Sequence, residues 1–148
     1  MLFRSSLYEH PDQAEPVRLG EPYVHGAGTD LAIISYGNGY YLSRQAEHIL
    51  AQEDDAAVRV IDLRWLAPIH VDALIAAVGE AKRILIVDEC RVSGSPSEAL
   101  MAHLTERLPD RPAARIAADD SFIALGRAAT LTLPSRDSIV AAARELLA

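Results

Sequence analysis

Three strand-like segments recur along the chain at intervals of about 26 residues. They are Leu31-Ala-Ile-Ile34, Val58-Arg-Val-Ile-Asp-Leu63 and Ile84-Leu-Ile-Val87. The first and the last are continuous apolar runs, which suit strands buried on both faces of a sheet. The segments between them carry apolar residues at helical spacing: Leu42, Ala46, Ile49 and Leu50, then Val71, Leu74, Ile75 and Val78. Further on, Ser95-Pro96-Ser97-Glu98 reads as a capping box with proline at the first helical position, followed by Leu100, Leu104 and Leu108. A weaker strand is expected through Arg115-Ile116-Ala117, and a last helix opening near Ser135. Strands alternating with helices require a parallel or mostly parallel sheet covered on both sides. The expected fold is therefore α/β: three layers, α/β/α, around a mostly parallel sheet of about five strands.

Residues 1–28 are rich in proline and glycine and read as a leader, with at most one short strand near Val17-Arg18-Leu19. The 148 residues are enough for one substantial core. No apolar run approaches the roughly 20 residues that span a bilayer, and Met1-Leu2-Phe3-Arg4 does not open like a secretory signal. Cys90 is the only cysteine, which excludes a disulfide framework within one chain. A cytoplasmic location is expected. The net charge of −7 argues against a nucleic-acid backbone binder. Thirteen of the fourteen basic residues are arginine, as a GC-rich genome would favour, and no two of the five histidines stand at the spacing of a helical metal pair. No metal site is expected.

In a parallel sheet the carboxyl ends of the strands share one edge, where ligands usually bind. That edge gathers Tyr36-Gly37-Asn38-Gly39, Arg64-Trp65, Asp88-Glu89-Cys90-Arg91 and the loop Val92-Ser93-Gly94. Gly37-Asn38-Gly39 lacks the third glycine of a dinucleotide fingerprint, since position 42 is leucine, and Asp62 lies inside its strand. The glycines are read as serving a tight strand-to-helix turn. Ser93-Gly94-Ser95 could cradle an anion, but Ser95 is read as occupied by its cap. Asp88-Glu89 could serve as acid and base, and is read instead as solvated or paired with Arg64 and Arg91. Cys90 has no histidine nearby in sequence. A phosphoacceptor receiver is excluded because the first strand ends in Ser35-Tyr36-Gly37 rather than an acidic pair. Glu53-Asp54-Asp55 is read as a solvated turn without function. Trp65 and Tyr40-Tyr41 are divided between rim packing and a subunit contact. No catalytic, cofactor-binding or metal-binding residue is assigned; the candidate interface residues are Asn38, Arg64, Trp65, Asp88, Glu89, Arg91 and Ser93.

Three motifs in order, Gly28-Thr-Asp-Leu-Ala-Ile-Ile-Ser-Tyr-Gly37, Val60-Ile-Asp-Leu-Arg-Trp-Leu-Ala-Pro-Ile69 and Arg83-Ile-Leu-Ile-Val-Asp-Glu89, resemble the C-terminal domain of the transketolase superfamily. The Asp62-Leu63-Arg64 wording is most similar to the β-type half of thiamine-diphosphate-dependent 2-oxo acid dehydrogenase E1 components, the pyruvate and 2-oxoisovalerate types. The resemblance spans residues 2–148. Met1 to Tyr8 resembles the end of a preceding pyrimidine-binding domain, with the C-terminal-like domain at 29–148. Phe122 to Thr130 resembles E1 proteins with fused halves. Ser95-Pro96 stands where the family usually has a second loop glycine, and His70 where it usually has a capping aspartate. The resemblance implies that thiamine diphosphate and Mg belong to the parent enzyme and not to this chain. Its implied partners are other E1 domains or subunits, a second E1 copy and the basic subunit-binding domain of the E2 acyltransferase, with no nucleic acid and no membrane. The implied role is assembly and docking, without catalysis by this chain alone. The alternatives are another transketolase-superfamily enzyme, or a small Rossmann-like nucleotide-binding enzyme using the Gly37 turn.

Overall fold

The computed structural model describes residues 18–148. Five strands form one sheet: β1 (Tyr23–His25), β2 (Leu31–Ser35), β3 (Val58–Asp62), β4 (Ile84–Arg91) and β5 (Ala113–Ala118). Their spatial order is β1-β3-β2-β4-β5, with β1 antiparallel to β3 and every other pairing parallel. Four α-helices connect them or pack beside them: α1 (Gly37–Glu53), α2 (Val71–Val78), α3 (Pro96–Arg107) and α4 (Arg136–Leu147). A 3-10 turn at Gly126–Leu131 precedes α4. The expected three-layer, mostly parallel architecture is what forms.

The continuous apolar strands are explained by the two cores. Successive residues of a strand point to opposite faces. Ala32, Ile34, Ile61, Ile84 and Ile86 therefore pack with Leu74 and Val78 of α2 and Leu100 and Leu104 of α3. On the other face Leu31, Ile33, Val58, Val60, Leu85 and Val87 pack with Ala46 and Leu50 of α1 and Ile139, Val140 and Ala143 of α4. All five residues of β2 are buried, as the central strand of such a sheet requires.

Three local expectations change. The strand expected near Val17-Arg18-Leu19 forms instead at Tyr23–His25, where Val24 packs against the α2–α3 core. Arg18 and Glu21 close a turn, with the Glu21 amide donating to the Arg18 carbonyl at 3.2 Å, so an extended strand cannot run through it. Val17 and the segment 1–8 lie outside the described residues. The helix at Pro96 starts where expected, but the capping box does not close. Ser95 makes no side-chain cap, its hydroxyl meets that of Ser97 at 2.7 Å, and Glu98 accepts from the Gly94 amide at 3.1 Å. A reciprocal box does form at α4, where Ser135 and Ser138 each accept from the other's amide. Finally, Glu53-Asp54 is not merely a solvated turn: both carboxylates take Arg144, which ties the end of α4 to the end of α1.

Candidate functional site

The chain order reverses beside β2: β3 lies on one side of it and β4 on the other. In open α/β sheets the crevice at this reversal, above the carboxyl ends of the strands, is the usual ligand site. Here it lies between Tyr36-Gly37 at the end of β2 and Asp88-Glu89 on β4.

Side chains of the protein itself fill that crevice. Asp88 is fully buried. Its Oδ1 accepts from the Tyr36 hydroxyl and from the Cys90 amide at 2.8 Å, and its Oδ2 accepts from the Ser97 amide at 2.9 Å. The Ser97 amide belongs to the first turn of α3, so Asp88, nine positions upstream, satisfies the donor that a local cap would otherwise take. Burial pushes the Asp88 carboxyl up, but hydrogen bonds from Tyr36, Cys90, Ser97 and Ser95 more than offset it, and the group stays below the ordinary aspartate value. Burial and the bond to Asp88 also raise Tyr36 far above the ordinary phenol range. Ser35 donates from its hydroxyl to the Val87 carbonyl at 2.9 Å, pinning β2 to β4 beneath this cluster.

Glu89, the next residue, turns to the other helix. Its carboxylate faces the Asn38 and Gly39 amides and the Asn38 side chain at the start of α1. The backbone there requires glycine twice. Gly37 has φ +56°, and a Cβ on Gly39 would lie 2.4 Å from the Ser35 hydroxyl oxygen. Burial raises Glu89 above the ordinary glutamate value; the Asn38 and Gly39 donors pull against this, and the Asp88 charge adds to the rise. A carboxylate already at this helix start disfavours a second anion, which counts against a nucleotide phosphate at the Gly37 turn.

The expected pairing of Asp88-Glu89 with Arg64 and Arg91 does not occur. Arg64, at φ +56°, bonds Asp62 through its Nε at 3.3 Å and lies 4.8 Å over the Tyr23 ring. Arg91 reaches back to the Ser93 carbonyl at 3.0 Å. Asp88, buried, and Glu89, half-buried, both face helix starts, where they gain more from backbone amides than from exposed guanidinium groups. Cys90 is an exposed free thiol 3.3 Å from the Tyr36 hydroxyl. Trp65 is exposed, and Tyr40 and Tyr41 meet edge to face at 5.3 Å along α1. Of the candidate residues, Asn38, Asp88 and Glu89 come together at the crevice, whereas Arg64-Trp65 and Arg91-Ser93 lie at its margins.

Sequence reasoning missed three participants. Tyr36 and Ser97 complete the Asp88 cluster; the sequence placed Tyr36 at the sheet edge beside Gly37 but gave no sign that its hydroxyl meets Asp88. Asp120 had no local signal: it accepts from the Ser93 amide at 2.9 Å and hydroxyl at 2.6 Å, across 27 positions. Arg91, Ser93, Gly94, Asp120, Ser121 and Phe122 line an open cleft of about 510 Å³ there. Among the described residues no group of three His, Cys, Asp or Glu side chains is arranged to hold a metal ion, and no helix is long and apolar enough to cross a membrane.

Residues 20–139 match the family model described as transketolase, C-terminal domain. The chain belongs to that family. Over 149 aligned residues it is 33% identical to a pyruvate dehydrogenase E1 component subunit beta of Staphylococcus aureus, covering 99% of this chain and 46% of the relative. The corresponding Bacillus subtilis subunit is 30% identical over the same span. The chain thus spans about half the length of these curated relatives, and the resemblance to the β-type E1 half holds. Among solved structures it is similar to a split gene transketolase, an inactive beta4 tetramer, with TM-score 0.76 and 23% identity over 88% of this chain and 43% of that one. It also resembles a 2-oxoglutarate:ferredoxin oxidoreductase from Magnetococcus marinus, with TM-score 0.62 and 18% identity over 86% of this chain and 20% of that one. At these identities the structural likenesses bear on fold alone, and they agree with the transketolase C-terminal domain architecture described above.

Proposed function

We propose that this chain is the C-terminal assembly and partner-docking domain of a thiamine-diphosphate-dependent 2-oxo acid dehydrogenase E1, cytoplasmic, and without catalysis of its own. The parent enzyme performs oxidative decarboxylation of a 2-oxo acid. One observation carries the assignment: the crevice that usually holds a ligand is plugged by Tyr36, Asp88 and Glu89, whose polar atoms are spent on one another and on the starts of α1 and α3. Around it large side chains remain exposed, among them Trp65, Val92 and Phe122, as suits a surface built for protein contact.

The residues present do not fit thiamine diphosphate or Mg. Asp88 occupies the start of α3 and Glu89 that of α1, both Asp88 oxygens are engaged, and the described residues offer no ligand set for the ion. The partners are other E1 domains or subunits, a second E1 copy and the basic subunit-binding domain of the E2 acyltransferase, toward which the net charge of −7 is complementary.

Calorimetric titration of the purified chain tests this. The expected outcome is no heat with thiamine diphosphate and Mg, and salt-sensitive binding of a basic E2 subunit-binding domain. Tight cofactor binding by this chain alone would sink the assignment. Failure to bind any such E2 domain would favour a different transketolase-superfamily parent.

A further inference from the structure

We propose that the groove between α1 and the start of α4 docks an acidic, extended segment of a partner protein. This goes beyond the docking role above and does not depend on it, since that role calls for a basic partner and this face carries the opposite sign. The groove holds about 580 Å³. Tyr40, Tyr41, Arg44, His48 and Ile49 line it from α1, and Arg136, the first residue of α4, lines it from the other side.

Charge selects the occupant. Arginines line this groove and, among the described residues, no carboxylate does, although the chain as a whole carries a net charge of −7. Both arginines are loosely held. Arg44 donates to the Tyr40 hydroxyl at a long 3.3 Å, and its buried Nε finds no hydrogen-bond partner among the described residues, with Glu47 standing 3.5 Å away. Glu47 does not cancel the Arg44 charge. Burial first, and then Arg44, hold the His25 imidazole below its ordinary value, against the smaller opposing pull of Glu47. Arg136 turns to its chain neighbour Asp137 at 2.7 Å, and an exposed pair of this kind stabilises little. A carboxylate from a partner can take either guanidinium at small cost.

The walls suit a protein segment. Tyr40 and Ile49 pack against the core, which fixes the floor, while Tyr41 is 40% exposed. Tyrosine and arginine are the side chains that most often anchor a protein partner. A floor already held in place loses little entropy when one docks. A nucleic-acid strand, charged at every phosphate, would meet the acidic remainder of the chain, whereas a peptide places a few carboxylates at the arginines alone.

Fluorescence anisotropy with a labelled peptide about a dozen residues long, alternating glutamate and proline around a central tryptophan, tests the proposal. It is run at about 0.1 M salt, where charges more than roughly 10 Å away are screened. The full chain is expected to bind this peptide with a Kd of about 10–100 µM, and the same peptide with glutamine for glutamate at least tenfold more weakly. Arg44→Gln with Arg136→Gln should weaken the acidic peptide about tenfold while circular dichroism and the urea midpoint stay as in wild type. Should that pair misfold, Arg136→Gln alone, on the surface, should weaken it about threefold. An acidic peptide that binds no better than its glutamine counterpart, or a folded variant that binds it undiminished, overturns the proposal. So does a single-stranded oligothymidylate of equal length that binds more tightly than the peptide and is lost in the same variant. Binding of the basic E2 domain should survive both substitutions, so the two docking surfaces stand or fall separately.

Discussion

Asp88 and Glu89 are consecutive residues with the same chemistry, and the fold treats them oppositely. Alternation along β4 sends them to opposite faces of the sheet. Asp88 meets the start of α3 together with the Tyr36 hydroxyl, while Glu89 meets the start of α1. Both are desolvated. Asp88 receives enough donors to hold its carboxyl below the ordinary aspartate value, whereas burial outweighs the donors at Glu89 and raises it above the ordinary glutamate value. A carboxylate at a helix N-terminus is therefore not stabilised by position alone. The number and directness of its hydrogen bonds decide the sign against the cost of burial.

The largest effect should come from removing the better-satisfied partner. Asp88→Ala leaves the Tyr36 hydroxyl and the Cys90 and Ser97 amides without their acceptor, and should cost about 3 kcal/mol in urea unfolding. Asp88→Asn keeps the shape and one carbonyl oxygen and should lose roughly half of that. An alanine variant as stable as the wild type would mean that water replaces the carboxylate and that Asp88 is no more anchored than Glu89. Tyr36→Phe takes away one donor and should cost about 1–2 kcal/mol. It should also raise the Asp88 titration midpoint, read by carboxyl-carbon NMR, because the hydroxyl is the largest of the stabilising contacts there.

The same contrast separates what could be read in the residue string from what could not. Strands β2 and β4 were legible because a sheet covered on both faces demands unbroken apolar runs, and Leu31–Ile34 and Ile84–Val87 supply them. The start of α4 was legible because its cap is local. At α3 the same kind of local pattern, Ser95 to Glu98, misleads about the bonds though not about the helix start. The acceptor that reaches the Ser97 amide comes from another element, and no spacing rule announces it. Asp120 on Ser93 and Arg144 on Asp54, 27 and 90 positions apart, were hidden for the same reason. β1, three residues at the sheet edge, has too few buried positions to show a period. At the candidate site, position along the sheet edge was predictable. Which polar atoms were already engaged was a tertiary fact.

The smallest expected effect is the one that tests the contrast most directly, because its sign reverses between the two carboxyls. Asp88 sits below its ordinary value of 3.8 when folded, so its stabilisation is present above that pH and is lost as pH falls through the folded value. Glu89 sits above its ordinary value of 4.5, so the folded state holds its proton more tightly than the unfolded chain. Its contribution is therefore full below pH 4.5 and is lost as pH rises through the folded value. Glu89→Gln removes that loss. Relative to wild type, the variant should gain stability on going from pH 4 to pH 7, by less than about 1 kcal/mol, whereas Asp88→Asn should lose stability relative to wild type on going from pH 2 to pH 4. Urea midpoints at the ends of each interval, with wild type alongside, measure both slopes. If the slopes share a sign, the donors at the start of α1 outweigh the burial of Glu89, and the two carboxyls differ only in degree.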